Sequence, residues 1–290
     1  MKLNLLVLTD FTEIAEAGLK TALQSSKMLK DATIHLLHVM EDDESKSILG
    51  SVLDIFNRDN KDDNQTQTEV KNKLRILAST YTDKYQVTIT PHVLLGAFKE
   101  GLEAFLNKNK MDFVIMGTEG ETSVSELLTG NNTTQTIHLA NIPVLAVKDI
   151  FCLSKCNDLL LLIDDQGYDD KTIKMLTKFI HHFGPKIHLA HILDKDVDTP
   201  EEYSNTKTSI ENFMMHHRFQ FTDLTFIGEK QEIKTIESFI EKIGIDVVTT
   251  IASEQSGLQR LAYGSRTDDF LDDLKIPLLS IKEQKYNYSY

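Results

Sequence analysis

The chain states one structural pattern twice. The run LNLLVLTD at 3–10 is matched by NDLLLLID at 157–164, TIHLLHVM at 33–40 by KIHLAHIL at 186–193, and IPVLAVK at 142–148 by IPLLSIK at 276–282. A repeat this long is a domain rather than a solenoid unit, so the sequence predicts two related domains in tandem, 1–150 and 151–290. With 290 residues, 41% of them apolar, each copy has the material for an ordinary core. A ligand site can survive in one copy, both or neither, and the two copies have diverged unequally.

Within each copy, apolar strands alternate with helical periodicity. The first reads as strand 3–9, helix 12–29, strand 33–40, helix 68–82, strand 86–94, helix 98–109, strand 112–116, helix 132–140 and strand 142–148. The second repeats the order: strand 158–163, helix 168–182, strand 186–193, helix 202–217, strand 220–227, helix 231–243, strand 245–250, helix 265–273 and strand 276–282. Strands apolar on both faces, separated by helices, imply an α/β fold with a parallel sheet covered on both sides. The segment 41–69 is a polar, acidic connection with a short helix at 47–56, and the tail EQKYNYSY is expected to fray.

The charge balance excludes some partners. Asp and Glu number 44 against 31 Lys and Arg, a net charge of −13, which argues against a protein that grips a phosphate backbone. No nucleic-acid partner is expected. The first apolar run ends at Asp10, too short for a secretory core or a membrane span, so a cytoplasmic protein with no membrane partner is expected. Cys152 and Cys156, the only cysteines, lie between the copies at a spacing that makes neither a thioredoxin motif nor a metal knuckle. His35 and His38, like His188 and His191, stand three apart on a strand and face opposite ways, so they make a poor metal clamp. No metal is expected.

In an open parallel sheet, ligands bind beyond the carboxyl ends of the strands, where strand order reverses. After the fourth strand comes MGTEGETSVSELLTGNN, with Gly117, Gly120 and Gly130 where a backbone could approach a ligand, and a helix starting near Asn132 that offers its N-terminus to an anion. Asp10 closes the first strand, where its carboxylate can reach a ribose hydroxyl, cap the following helix, or do both.

These residues resemble the universal stress proteins in their tandem-domain form. VLTDFTEIAEAGLKTAL is similar to that family's first strand and helix, LLHVM to its second strand, MGTEG with GNN to its nucleotide loop, and IPVLAV to its last strand. In the second copy the resemblance rests on IHLAHIL, SGLQRLAYGS and IPLLSIK. It implies two tandem doubly wound, five-stranded parallel sheets, Rossmann-like and akin to the adenine nucleotide α-hydrolases, paired about a pseudo-twofold. It also implies ATP or AMP at the strand ends. On this resemblance Asp10 and the backbone of Val39 lie near the adenosine, and Gly117, Gly120, Gly130, Asn131 and Asn132 surround the phosphates.

The chain departs from the family pattern in both copies. Asn131 stands where a Ser or Thr is usual, and its amide can still donate. Glu119 and Glu121 either point to solvent or oppose phosphate; a carboxylate about 6 Å from one phosphate charge costs roughly 2 to 3 kcal/mol at an effective dielectric near 20. A Mg²⁺ ion would reverse that sign. In copy two, aligning Gly264 with Gly130 sets Ile251 and Glu254 at the positions of Gly117 and Gly120, so phosphate capture there looks blocked. Asp164 repeats Asp10, with Asp165 beside it, while Gly264 and Ser265 suit a turn and helix cap as well as a ligand.

No catalytic residue is expected, since no nucleophile elbow, P-loop or Cys–His constellation occurs. Three readings remain: an adenine-nucleotide-binding sensor or regulator with an unidentified protein partner, a nucleotide-free scaffold, and a slow ATPase or autophosphorylating protein. The last would draw on Thr118, Thr122 and Ser123. An intramolecular pseudo-dimer lessens the need for a homodimer without excluding one.

Overall fold

The computed structural model describes residues 3–27, 32–40, 63–118, 132–163, 168–193, 199–228, 232–252 and 274–283. They fall into two compact units, one built from Met1–Thr118 with Asn132–Cys152 and the other from Leu153–Tyr290. The insert 41–62, the loop 119–131, the helix expected at 265–273 and the tail lie outside the described residues.

Unit one runs β1 (Asn4–Leu8), α1 (Glu13–Ser26), β2 (Thr33–Met40), α2 (Asp63–Tyr85), β3 (Thr88–Leu95), α3 (Phe98–Lys108), β4 (Phe113–Gly117), α4 (Asn132–Leu139) and β5 (Val144–Val147). The strands are parallel in the order β3-β2-β1-β4-β5. Unit two repeats it with β6 (Asp158–Leu162), α5 (Asp170–Phe183), β7 (Lys186–Leu193), α6 (Pro200–His216), β8 (Phe221–Gly228), α7 (Glu232–Ile243), β9 (Val247–Ala252) and β10 (Leu278–Lys282). Its order, β8-β7-β6-β9-β10, is again parallel. Each unit is therefore a doubly wound α/β sheet of five strands. The chain steps outward through three strands and returns to lay the other two on the far side of the first, which puts a topological switch point beside β1 and beside β6.

The central strands are buried on both faces, as their unbroken apolar runs dictate. Leu5, Leu6 and Val7 are at most 1% exposed, as are Leu159 to Leu162 in unit two. Each such side chain contributes about 1.5–3 kcal/mol by leaving water. On one face of unit one, Leu6, Leu8, Val114 and Met116 meet Phe98, Leu102 and Phe105 of α3. In unit two, Leu160, Leu162 and Val248 meet Ile236 of α7 and Ile227 of β8.

The first helices of the two units bury side chains of different size. In α1 the buried set is dominated by small residues, among them Ala15, Ala17, Gly18, Thr21, Ala22 and Ser25. In α5 it is Thr172, Ile173, Leu176 and Phe179. Both start at a side-chain cap. Thr12 Oγ1 accepts from Ala15 N–H, and Asp169 Oδ1 accepts from Lys171 and Thr172 N–H. Gly184, at φ 65°, ends α5 in the left-handed conformation that glycine adopts without a Cβ clash.

One expected boundary moves. α2 begins at Asp63, inside the segment read as an irregular connection to residue 69. Its first turns, DNQTQT, carry no apolar stripe, so periodicity has nothing to detect before Val70. From there Leu74, Ala78 and Tyr81 line the buried side.

Candidate functional site

The switch point of unit one gathers the carboxyl ends of β1, β2 and β4 with the N-terminus of α4. Asp10 follows β1 and is exposed. Its Oδ1 accepts from Thr12 N–H at 2.9 Å and from the Thr12 hydroxyl at 2.5 Å, closing an Asx turn in front of the α1 cap. Both bonds fall on one oxygen. Asp10 Oδ2 has no hydrogen-bond partner among the described residues, so the turn leaves half the carboxylate facing water. Capping and ligand contact are thus compatible at this residue.

Phe11, next in the chain, sits at φ 67°, a region that costs a non-glycine residue about 1–2 kcal/mol. Its surroundings hold it there. The ring packs 4.8 Å from that of His38 and lies 4.2 Å beneath the Lys73 ammonium, while its N–H donates to Thr9 Oγ1 at 3.1 Å. His38 Nδ1 stands 2.7 Å from the Thr9 carbonyl oxygen. A carbonyl only accepts, so Nδ1 carries a proton. Unit two has the same strut, with His191 Nδ1 2.8 Å from the Ile163 carbonyl oxygen. In both copies a histidine of the second strand clamps the end of the first.

Gly117 ends β4, and its Cα hydrogens face α1. A Cβ there would stand 1.8 Å from the Ile14 carbonyl oxygen and 3.0 Å from Ala15 N. A Cβ on Gly18 would in turn stand 2.6 Å from Gly117 N. Close helix–strand packing alone therefore demands both glycines. At the position aligned with Gly117 in unit two, Ile251 is fully buried on β9.

Beyond Gly117, Thr118 N–H donates to the Val147 carbonyl at 2.9 Å, and its Oγ1 lies 3.4 Å from that of Thr133 in the first turn of α4. Thr133 is buried and Asn132 exposed, so the start of α4 stands at the end of β4. The Val39 side chain packs into the core beside Leu94, 3.6 Å from where a Cβ on Gly101 would sit, leaving its main chain for any contact at the strand end. Gly120, Gly130 and Asn131, with Glu119, Glu121, Thr122 and Ser123, lie outside the described residues, as do Asp164, Asp165, Glu254, Gly264 and Ser265.

Comparison with known proteins decides the family. A family model described as the universal stress protein family matches residues 1–148. The chain belongs to the universal stress protein family. It is 31% identical over 149 residues to a universal stress protein of Methanocaldococcus jannaschii, covering 48% of this chain and 91% of that protein. Over 118 residues it is 29% identical to universal stress protein G of Shigella flexneri, covering 41% and 79% respectively. A universal stress protein of Archaeoglobus fulgidus superposes with a TM-score of 0.67 at 16% identity, covering 97% of each chain, a likeness of fold along the whole length.

The sequence reading of this universal stress protein missed Phe11, Lys73 and Gly18. Phe11 is apolar in an exposed turn, and nothing local in TDFTE signals its positive φ. Lys73 reaches the site from α2, more than sixty positions along the chain. Gly18 carried a readable signal, being a glycine inside a helical pattern.

Chemically, the described part of the site offers one accepting carboxylate oxygen, an imidazole, an ammonium and a helix N-terminus. Among the described residues no cluster of three metal-binding side chains occurs, and no helix is long and apolar enough to cross a membrane. Cys152 and Cys156 form no disulfide, and burial pushes the Cys156 thiol up to about 12, with Asp246 and Asp158 adding to the effect.

Proposed function

We propose that this universal stress protein binds an adenine nucleotide, ATP or AMP, at the switch point of unit one and acts in the cytoplasm as a non-catalytic regulator. The observation that carries the reading is Asp10. Its Oδ1 is engaged by the Asx turn to Thr12 while Oδ2 has no partner among the described residues, leaving an acceptor for a ribose hydroxyl. The start of α4 beside Thr118 supports it, because a helix N-terminus at a strand end favours an anion. The fit is to the nucleoside first. Gly120, Gly130, Asn131 and Asn132 would meet the phosphates, Val39 would meet the adenosine through its main chain, and Mg²⁺ could bridge Glu119 or Glu121 to phosphate. Bound nucleotide would bias which conformation, and so which protein partner, unit one favours.

A second reading, a nucleotide-free scaffold, is favoured by Gly117. Packing against Ile14 accounts for that glycine without any ligand. Gly117→Val is therefore a poor probe, since it disturbs α1 whether or not nucleotide binds. Asp10→Asn separates the readings instead. It keeps an accepting Oδ1 for the turn and removes the charge, so nucleotide affinity should fall about tenfold with the fold intact. Unchanged affinity in that variant would remove Asp10 from the site.

A further inference from the structure

Asp10 lies between two residues that one imidazole holds. On one side, His38 Nδ1 donates to the Thr9 carbonyl at 2.7 Å, and Thr9 N–H donates to the Leu37 carbonyl at 2.9 Å. On the other, the half-buried Phe11 packs its ring 4.8 Å from that of His38. Lys73, an exposed residue of α2, sets its ammonium 4.2 Å from the centroid of the same Phe11 ring. With Oδ1 tied to Thr12, the main chain on both sides of Asp10 and one of its carboxylate oxygens are fixed. Oδ2 is what the arrangement leaves over.

The strain of this arrangement falls on Phe11. At φ 67° its backbone is left-handed, and a glycine would hold the same turn without strain. A ring at this position therefore supplies something the turn itself does not need. Unit two separates the parts of the clamp. His191 repeats the strut to the end of the first strand, but its ring meets Phe226 of β8 at 5.8 Å. In the aligned sequence Asp165 stands where Phe11 stands. The histidine strut thus serves the fold of both units, whereas the clamped Phe11 ring belongs to the copy that keeps Gly117, Gly120 and Gly130.

We propose that Phe11 and Lys73 are positioning residues for Asp10, through which α2 sets the affinity of the switch-point site for the ribose of a nucleoside. The proposal rests on the nucleotide reading above. A ribose hydroxyl meets an acceptor whose main chain is already ordered, so binding loses less entropy. Leu74 and Ala78 seat α2 in the core, Tyr81 ties it to Glu16 of α1, and Lys73 is the residue before Leu74. A shift of α2 that withdraws Lys73 releases the Phe11 ring, and with it Asp10.

The test is calorimetric titration of adenosine, which carries no phosphate for Lys73 to attract, into the full chain, Phe11→Ala, Lys73→Met, and each of these combined with Asp10→Asn. Phe11→Ala should weaken adenosine about tenfold and Lys73→Met about threefold. Beside Asp10→Asn both losses should shrink below about twofold, a coupling that general loosening of the unit does not produce. Should Phe11→Ala fail to fold, Phe11→Gly relieves the positive φ and should weaken adenosine as much. Parent-like affinity in either single variant, or losses undiminished beside Asp10→Asn, would overturn the clamp and leave the nucleotide reading standing. A folded parent chain that binds no adenosine would overturn the clamp as well, and one that binds neither ATP nor AMP would take the nucleotide reading with it.

Discussion

Gly18 and Gly117 meet where α1 crosses β4, so closely that a Cβ on either would enter the main chain of the other element, 2.6 Å from Gly117 N or 1.8 Å from the Ile14 carbonyl oxygen. Gly117→Ala should therefore cost at least about 3 kcal/mol, because backbone rather than a movable side chain opposes the methyl. Urea unfolding of unit one reads this directly. A loss below about 1 kcal/mol would mean that α1 can retreat and that the glycine serves something other than packing.

Tyr81 on α2 donates to Glu16 Oε1 on α1 at 2.5 Å, and Glu16 also pairs with Lys20 at 3.2 Å. The Tyr81 bond, then Lys20, holds Glu16 below its ordinary value, while burial and Glu16 push Tyr81 up to about 12. A raised tyrosine contributes stability that is whole below its unfolded value near 10 and lost as pH climbs through about 12. Tyr81→Phe should cost about 1 kcal/mol at neutral pH and remove that part of the alkaline loss. Unfolding curves of parent and variant at neutral and alkaline pH give both numbers, and identical alkaline slopes would contradict the assignment.

In unit one, burial and then the charge of His35 lower His92 from its ordinary value. The sign follows from the unfolded chain, which takes up the proton first. This contribution is present above the unfolded value near 6.5 and is lost as pH falls through the lower folded one. His92→Gln should flatten the acid side of the urea-midpoint profile. An unchanged acid slope would show that other groups carry it.

The buried strands and the core were legible because buried parallel strands read as unbroken apolar runs, and LLVL and LLLL can be little else. The polar start of α2 was not legible, since DNQTQT has no stripe for periodicity to find. Asp10 was legible as a residue but not in its division of labour, because which carboxylate oxygen closes the turn is a matter of coordinates.

Asp10 also permits its two roles to be told apart. Asp10→Ala should lose the turn and about 1 kcal/mol of stability, whereas Asp10→Asn should stay within about 0.5 kcal/mol of the parent. Thermal unfolding of the two variants checks this, and equal losses would mean that the charge, not the Oδ1 acceptor, holds the turn.

The most direct measurement is calorimetric titration of ATP, ADP, AMP and adenosine, with and without Mg²⁺, into protein denatured and refolded to strip carried-over ligand. The account predicts one site per chain, weakened about tenfold by Asp10→Asn, with the order of the four ligands and the effect of Mg²⁺ reporting how Glu119 and Glu121 act on phosphate. Absence of binding by all four ligands to folded protein would contradict it and leave the scaffold reading in its place.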